Sequence, residues 1–373
     1  MLESSHVIRK IAILTNVIAP YRVPIYKYLS QKFNTLILHS GNESNRQMWG
    51  HLERLPINMK KVWGVSFPIP RKGEGNVYDW KFLHINPGYF TELLRFRPDA
   101  VISNEMGFRS LVALIYTRLF GKRLWIWWGG TLHTERSIGV LKSLWRRYFS
   151  QRVPRWISYG RTSTEYLLHL GVPRERILQI QNCVDEKLFT KPAKPLYSFP
   201  VRPVLLYVGQ FIGRKGVDLL LESAQRVQAR GYDFTLALVG DGPEKGRLLS
   251  MAEQLQLSNV FFLDPERPEN MPRVYKSADV LVFPTLEDVW GLVVNEALWS
   301  GLPVIASIYA GATIEILPQE NWFDPLDANS FDVALERAVR GELAPPDTSL
   351  LLPCEKVARL IEEDIYKFIN LKY

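Results

Sequence analysis

Two carboxylates, Asp288 and Glu296, stand in the stretch Pro284-Thr-Leu-Glu-Asp-Val-Trp-Gly-Leu-Val-Val-Asn-Glu296-Ala. The aliphatic run Val280–Phe283 before them reads as a strand, and Gly291–Trp299 reads as a helix. Asp288 then falls in the loop and Glu296 on the helix. The amides of Gly291, Leu292 and Val293 form a helix start, where phosphate charge is favoured. A carboxylate on that helix can accept two ribose hydroxyls, and one in the loop can accept hydroxyls of a sugar ring. The plain alternative is a pair of surface acids, the usual state of Asp and Glu. Glu296 argues against it, because an idle carboxylate in the apolar LVVNEALWSG would be costly.

A second cluster, Gly209-Gln-Phe-Ile-Gly-Arg-Lys-Gly216, follows one strand and precedes one helix. Its glycines permit close backbone approach, and Arg214 and Lys215 add positive charge beside the helix start. That combination suits a diphosphate, although a short Gly/Lys loop alone is more often an ordinary turn. In the first half, Asn16-Val-Ile-Ala-Pro-Tyr-Arg22 follows the strand Lys10–Thr15. Arg22 there could meet phosphate or an acceptor, or simply start a helix at the surface. Trp128-Gly-Gly-Thr-Leu-His133 follows another strand, and His133 is the candidate polar group near a reacting carbon.

These loops need strands and helices to hold them. After residue 203 the alternation is regular: strands Val204–Val208, Phe234–Val239, Val260–Leu263, Val280–Phe283 and Val304–Ala306, with helices between. Short apolar strands separated by helices require a doubly wound parallel sheet, whose ligands sit at the carboxyl ends of the strands. The first half repeats the pattern less clearly, and residues 41–88, less regular and rich in Pro, Gly and aromatics, are expected to contain loops facing the cleft or solvent. Residues 186–203, with four prolines, read as an interdomain linker. The expectation is α/β: two Rossmann-like doubly wound domains, 1–188 and 189–357, facing a central cleft, with a final helix from about 358 packing back on the first.

Composition narrows the classes. At 373 residues and 47% apolar, the chain is neither disordered nor fibrous. Cys183 and Cys354 form no metal or disulfide pattern, which fits a reducing cytosol. The N-terminal stretch reads as a strand rather than a signal peptide, and the long uncharged run after Glu296 is broken by Gly301, Pro303 and Gly311, so no transmembrane helix is expected. Residues 1–190 carry 28 Lys and Arg against 13 Asp and Glu, and the remainder 18 against 25. The basic first half favours anions: a lipid surface, a phosphorylated acceptor or nucleic acid. Nucleic acid is disfavoured, because no recognised binding module accompanies the charge.

The motifs from Gly209–Gly216 through Gly240-Asp-Gly-Pro243, Ala278-Asp-Val280, Asp288–Glu296 and Gly301-Leu-Pro-Val304 resemble the C-terminal domain of family-4 (group 1) glycosyltransferases, across most of residues 203–317. The resemblance implies the glycosyltransferase B fold and retaining transfer of a sugar from a nucleotide diphosphate donor to a glycan or lipid-linked acceptor. It gives Asp288 the donor sugar hydroxyls, Glu296 the nucleotide ribose and Lys215 the donor phosphates; Glu315 stands in a family-like context. Two departures stand out. Asp288 occupies a place that is usually Glu, and Gln210 a place that is usually Arg. A charge-assisted bond to phosphate is worth roughly 1.5–3 kcal/mol, so its loss at Gln210 needs an offset, for which Arg214 is at hand. With no Asp-x-Asp, neither a metal nor another cofactor is expected.

Leu141–Trp156 mixes Lys142, Arg146, Arg147, Arg152 and Arg155 with Trp145, Tyr148, Phe149 and Trp156. It reads either as a patch resting on an anionic membrane or as an amphipathic helix with its aromatics in the core. The expected setting is cytoplasmic, at the membrane face, in polysaccharide or glycolipid assembly. The competing functions are a sugar-nucleotide epimerase or hydrolase, and a nucleotide-sugar-binding protein without catalysis.

Overall fold

The computed structural model describes residues 9–41, 56–69 and 81–370. They divide into two compact units, the first running to residue 181 and resuming at 352, the second comprising residues 182–351.

The first unit runs β1 (Lys10–Thr15), α1 (Val23–Lys32), β2 (Asn34–His39), β3 (Met59–Lys61), β4 (Val65–Ile69), β5 (Lys81–Ile85), α2 (Gly88–Phe96), β6 (Ala100–Asn104), α3 (Phe108–Leu119), β7 (Arg123–Trp128), α4 (Val140–Arg152), β8 (Arg155–Tyr159), α5 (Gly160–His169) and β9 (Ile177–Ile180). Seven of these strands form a parallel sheet in the order β3-β2-β1-β6-β7-β8-β9. Ile11, Ile13, Val101, Ile102, Leu124 and Ile126 are almost wholly buried, as strands covered on both faces require.

The second unit runs α6 (Glu186–Phe189), β10 (Val204–Val208), α7 (Val217–Ala229), β11 (Thr235–Val239), α8 (Lys245–Gln254), β12 (Val260–Leu263), α9 (Met271–Tyr275), β13 (Val280–Phe283), α10 (Leu292–Trp299), β14 (Val304–Ser307), α11 (Gly311–Ile316), β15 (Trp322–Phe323) and α12 (Ala328–Val339). Its parallel sheet has the order β12-β11-β10-β13-β14-β15. Both sheets are doubly wound: the strand order reverses once in each, between β1 and β6 in the first and between β10 and β13 in the second. Ligands bind at such switch points.

The last helix, α13 (Cys354–Asn370), belongs to the first unit. The Trp125 indole N–H donates to the Asp364 carboxylate at 2.8 Å, and Arg155 Nε donates to the same group at 3.0 Å. Tyr28 on α1 donates to Glu362 at 2.7 Å. Asp364 is buried, so the guanidinium and indole offset a desolvation cost that an unpaired carboxylate there would carry.

Three regions carry structure beyond the expectation. Residues 41–88 are not simply loops: β3 extends the first sheet, and β4 and β5 pair antiparallel, while 42–55 and 70–80 lie outside the described residues. Pro68 and the glycines hide these short strands, because neither run alternates cleanly. Residues 186–203 pack on the second unit, where the amides of Leu196 and Tyr197 both donate to Ser277 Oγ at 2.9 Å.

The third region is Leu141–Trp156. Its aromatics do not face outward: Phe149 and Trp156 are fully buried, Trp145 packs on the first unit's core, and its indole donates to the Met106 carbonyl. Arg146 is buried as well, stacked 4.4 Å from the Trp128 ring and bonded to Glu135 at 2.9 Å. What α4 exposes instead is Val140, Leu141 and Leu144. Among the described residues no helix is long and apolar enough to cross a membrane.

Candidate active site

The switch point of the second sheet gathers the loops after β10 and β13. Gly216 adopts φ +65°, and a side chain there would strike the Pro284 carbonyl at 2.2 Å, so glycine is what lets the two loops touch. The Arg214 carbonyl accepts from the Leu286 amide at 2.8 Å, and the Arg214 guanidinium donates to the Glu287 carbonyl at 3.2 Å. Thus tied, the loops bring Lys215 Nζ to 2.5 Å from Asp288 Oδ2. The other Asp288 oxygen accepts from the Trp290 amide at 3.1 Å, and the Asp288 amide donates to the Tyr309 carbonyl. Burial alone would raise the Asp288 carboxyl, but the Lys215 ammonium and its hydrogen bond, helped by Arg214 and the Trp290 amide, hold it below the usual range.

Gly291, at φ +94° and tight against the Phe283 ring, turns the chain into α10. The first amides of a helix lack intrahelical partners. Those of Leu292 and Val293 start α10 just after Trp290, whose amide donates to Asp288. The helix is fixed from below by a buried network: the Trp290 indole donates to Asn295 Oδ1 at 2.7 Å, and the Asn295 amide reaches the Asn182 carbonyl at 3.3 Å. Gly209 and Gln210 complete the rim, with the Gln210 carbonyl accepting from Tyr207 at 2.9 Å. Gly240 lies so close to the Gly209 carbonyl that a Cβ would sit at 1.9 Å from it. Gly209, Gln210, Arg214, Lys215, Asp288, Gly291, Leu292, Val293 and Glu296 all lie on or just after these strand ends, in one unit.

Glu296 is held by a residue that sequence reasoning passed over. Tyr275 Oη donates to Glu296 Oε2 at 2.7 Å, from the short helix α9. Burial pushes the Glu296 carboxyl up to about 7, against a smaller opposing effect of the Tyr275 hydrogen bond. The folded chain thus favours the protonated form. That contribution to stability is full below the ordinary value of 4.5 and is lost as pH rises through about 7. Thermal melts of wild type and Glu296→Gln from pH 5 to 8 should therefore diverge, with the wild type losing melting temperature relative to the variant as pH rises. Parallel curves would refute the buried carboxyl.

The remaining predicted residues lie in the first unit. His133 is half-buried in the turn after β7, which Thr131 and Thr134 brace through reciprocal bonds at 2.9 and 3.1 Å. Asn16 follows β1 and accepts from Arg109 on α3, a residue that sequence reasoning also missed. Arg22 does not join that pair; it turns instead to Tyr159 and Trp127.

Residues 194–349 match the model of the family described as "Glycosyl transferases group 1". The second unit belongs to the group 1 glycosyl transferases. A curated relative, the sulfoquinovosyl transferase SQD2 of Arabidopsis thaliana, is 24% identical over 256 residues, 64% of this chain and 48% of its own length. The chain thus spans about half the length of that relative, and less of the next two. Among solved structures, a sucrose-phosphate synthase from Thermosynechococcus elongatus matches with TM-score 0.70 at 18% identity, covering 97% of this chain and 99% of that one. Anabaena HepE in complex with UDP and glucose matches with TM-score 0.66 at 17% identity, covering 97% of each chain. These likenesses show the two-domain glycosyltransferase B fold. Within the group 1 domain, the matched residues include the Lys215 loop, Asp288 and Glu296.

Proposed function

We propose that this chain transfers a sugar from a nucleotide diphosphate donor to a glycan or lipid-linked acceptor, without a metal and with retention of anomeric configuration. The observation that supports this reading is the Lys215–Asp288 pair beside the start of α10, at the switch point of a group 1 glycosyl transferase domain. Lys215 and the first amides of α10 grip the diphosphate, Asp288 takes the sugar hydroxyls, and Glu296, oriented by Tyr275, takes the ribose. The acceptor oxygen bonds to the anomeric carbon as the bond to the diphosphate breaks. The departing phosphate oxygen takes the acceptor's proton on the same face, so no protein nucleophile is needed. His133 and Asn16 serve the acceptor.

Thermal-shift screening of UDP-, GDP- and ADP-sugars identifies the donor, because a ligand that binds the native state raises its melting temperature. NMR of the product then gives the anomeric configuration. Inversion sinks the retaining mechanism, and donor turnover that needs no acceptor sinks transfer in favour of hydrolysis or epimerisation.

The setting at the cytoplasmic membrane face, in polysaccharide or glycolipid assembly, is part of the same reading. Its physical support is α4, where Val140, Leu141 and Leu144 are 77%, 85% and 59% exposed beside the exposed Arg147. An apolar patch rimmed with positive charge suits an anionic lipid surface. Sedimentation with anionic vesicles should carry the protein down, and Leu141→Asp/Leu144→Asp should abolish this. Equal sedimentation with neutral vesicles would remove the anionic charge from this reading, and no sedimentation with either kind would remove the membrane.

A further inference from the structure

Arg22 is the least compensated cation at the switch point of the first sheet. It ends the turn Pro20–Arg22, and its guanidinium lies 4.8 Å from the Trp127 ring and 5.6 Å from the Tyr159 ring. It donates to the Tyr159 hydroxyl, and the phenols of Tyr21 and Tyr26 face it too. No carboxylate is among its partners in the described residues. Burial holds the Tyr159 phenol well above its ordinary value, so Tyr159 stays neutral and does not balance the charge. Arg109 is the contrast: it reaches both Asn16 and the Glu105 carboxylate.

Unused polar atoms accompany this charge. Arg22 Nε, Trp127 Nε1 and both amide atoms of Asn104 are buried and have no hydrogen-bond partner among the described residues. Asn104 is 3% exposed and Trp127 2%. The register pairs Asn104 with Trp127, which sets their side chains next to one another on one face of the sheet. Both stand at the carboxyl end of the sheet, Asn104 closing β6 beside the β1–β6 reversal. A part-buried guanidinium without a counter-ion and several buried donors without acceptors are each costly, and together they suit an oxyanion.

We propose that Arg22, Trp127, Asn104 and Tyr159 form an anion site of the first unit that takes a phosphate or carboxylate group carried by the acceptor. This rests on the reading above that the chain has an acceptor, and it makes that acceptor anionic. Three kinds of unused donor, from guanidinium, indole and amide, face an oxyanion's lone pairs. The Asn104 carbonyl oxygen remains to accept from a neighbouring hydroxyl.

The test is titration of the full chain with inorganic phosphate, followed by melting temperature and calorimetry, with acetate as a parallel arm. Wild type should bind phosphate saturably, and Arg22→Gln should weaken binding at least tenfold. Asn104→Asp places a carboxylate next to Trp127, over whose ring the guanidinium lies. It should abolish the phosphate response without lowering the melting temperature of the anion-free protein, and it decides the matter if Arg22→Gln does not fold. A preference for phosphate over acetate marks the acceptor group as a phosphate, and the reverse marks a carboxylate. Saturating UDP should leave phosphate affinity within twofold. No saturable binding by wild type, unchanged binding by either folded variant, or displacement of phosphate by UDP would overturn the proposal. Normal UDP binding in the same titration shows that such a failure leaves the donor site untouched; loss of UDP binding strikes the donor reading instead.

Discussion

Lys215→Ala is expected to weaken nucleotide diphosphate binding by about 1.5–3 kcal/mol, roughly 10- to 150-fold, the range for a lost hydrogen bond to a charged group. A second loss comes with it. Asp288 is part-buried, and Lys215 is the main cation that offsets its desolvation, so the variant leaves a carboxylate without its closest counter-ion. Removing one partner of a buried pair costs about 3 kcal/mol of stability, at the low end because Asp288 retains some exposure. The two effects separate in Lys215→Ala/Asp288→Asn. The double variant should regain most of the melting temperature, since no unpaired charge remains, and should still bind nucleotide weakly. Calorimetry and thermal melts on the same samples read both. Wild-type affinity in Lys215→Ala would remove Lys215 from the phosphate site.

The other large effect concerns Glu296. Alanine there should cost about 2–4 kcal/mol of transition-state stabilisation, roughly 30- to 1,000-fold in kcat/KM, as for other active-site hydrogen-bonding groups. The fold should tolerate the change, because at neutral pH the carboxyl is a desolvated group held by the Tyr275 hydroxyl. Tyr275→Phe should lower kcat/KM less, because it leaves the carboxyl in place and removes only what orients it. Steady-state kinetics of the two variants with the donor found by screening make the comparison. A folded Glu296→Ala enzyme with full activity would contradict the ribose role.

How much of this could be read from residues alone follows from how local each signal is. The second unit was legible strand by strand, because runs such as Val204–Val208 and Val280–Phe283 are short, wholly apolar and followed at once by glycine-bearing loops. The switch point needed the strand order, which depends on pairing between β10 and β13 far apart in sequence. The Lys215–Asp288 bond is non-local too: each residue was picked out for its own motif, and only the close approach allowed by Gly216 joins them. Tyr275 gave no signal, because a tyrosine in a five-residue helix acquires a role only through what packs on it. In the first unit, charge and aromatic content left Leu141–Trp156 open between a lipid-facing patch and an amphipathic helix with its aromatics in the core, because composition does not distinguish an aromatic that faces the sheet from one that faces water. Phe149 and Trp156 face the core, and the exposed apolar residues are the aliphatic ones at the start of the helix. Asn104 and Trp127 lie at strand ends, where the rule that ligands bind at carboxyl ends could have found them.

The central claim is that the carboxyl end of the second sheet grips a nucleotide diphosphate with Lys215 on the diphosphate and Glu296 on the ribose. A crystal structure of the complex with UDP, or with the diphosphate whose sugar gives the strongest thermal shift, tests it most directly. Phosphate oxygens should lie within hydrogen-bond reach of Lys215 Nζ and the first amides of α10, and both ribose hydroxyls on the Glu296 carboxylate. A nucleotide bound away from these groups, or no binding of any of the three diphosphates, would contradict it.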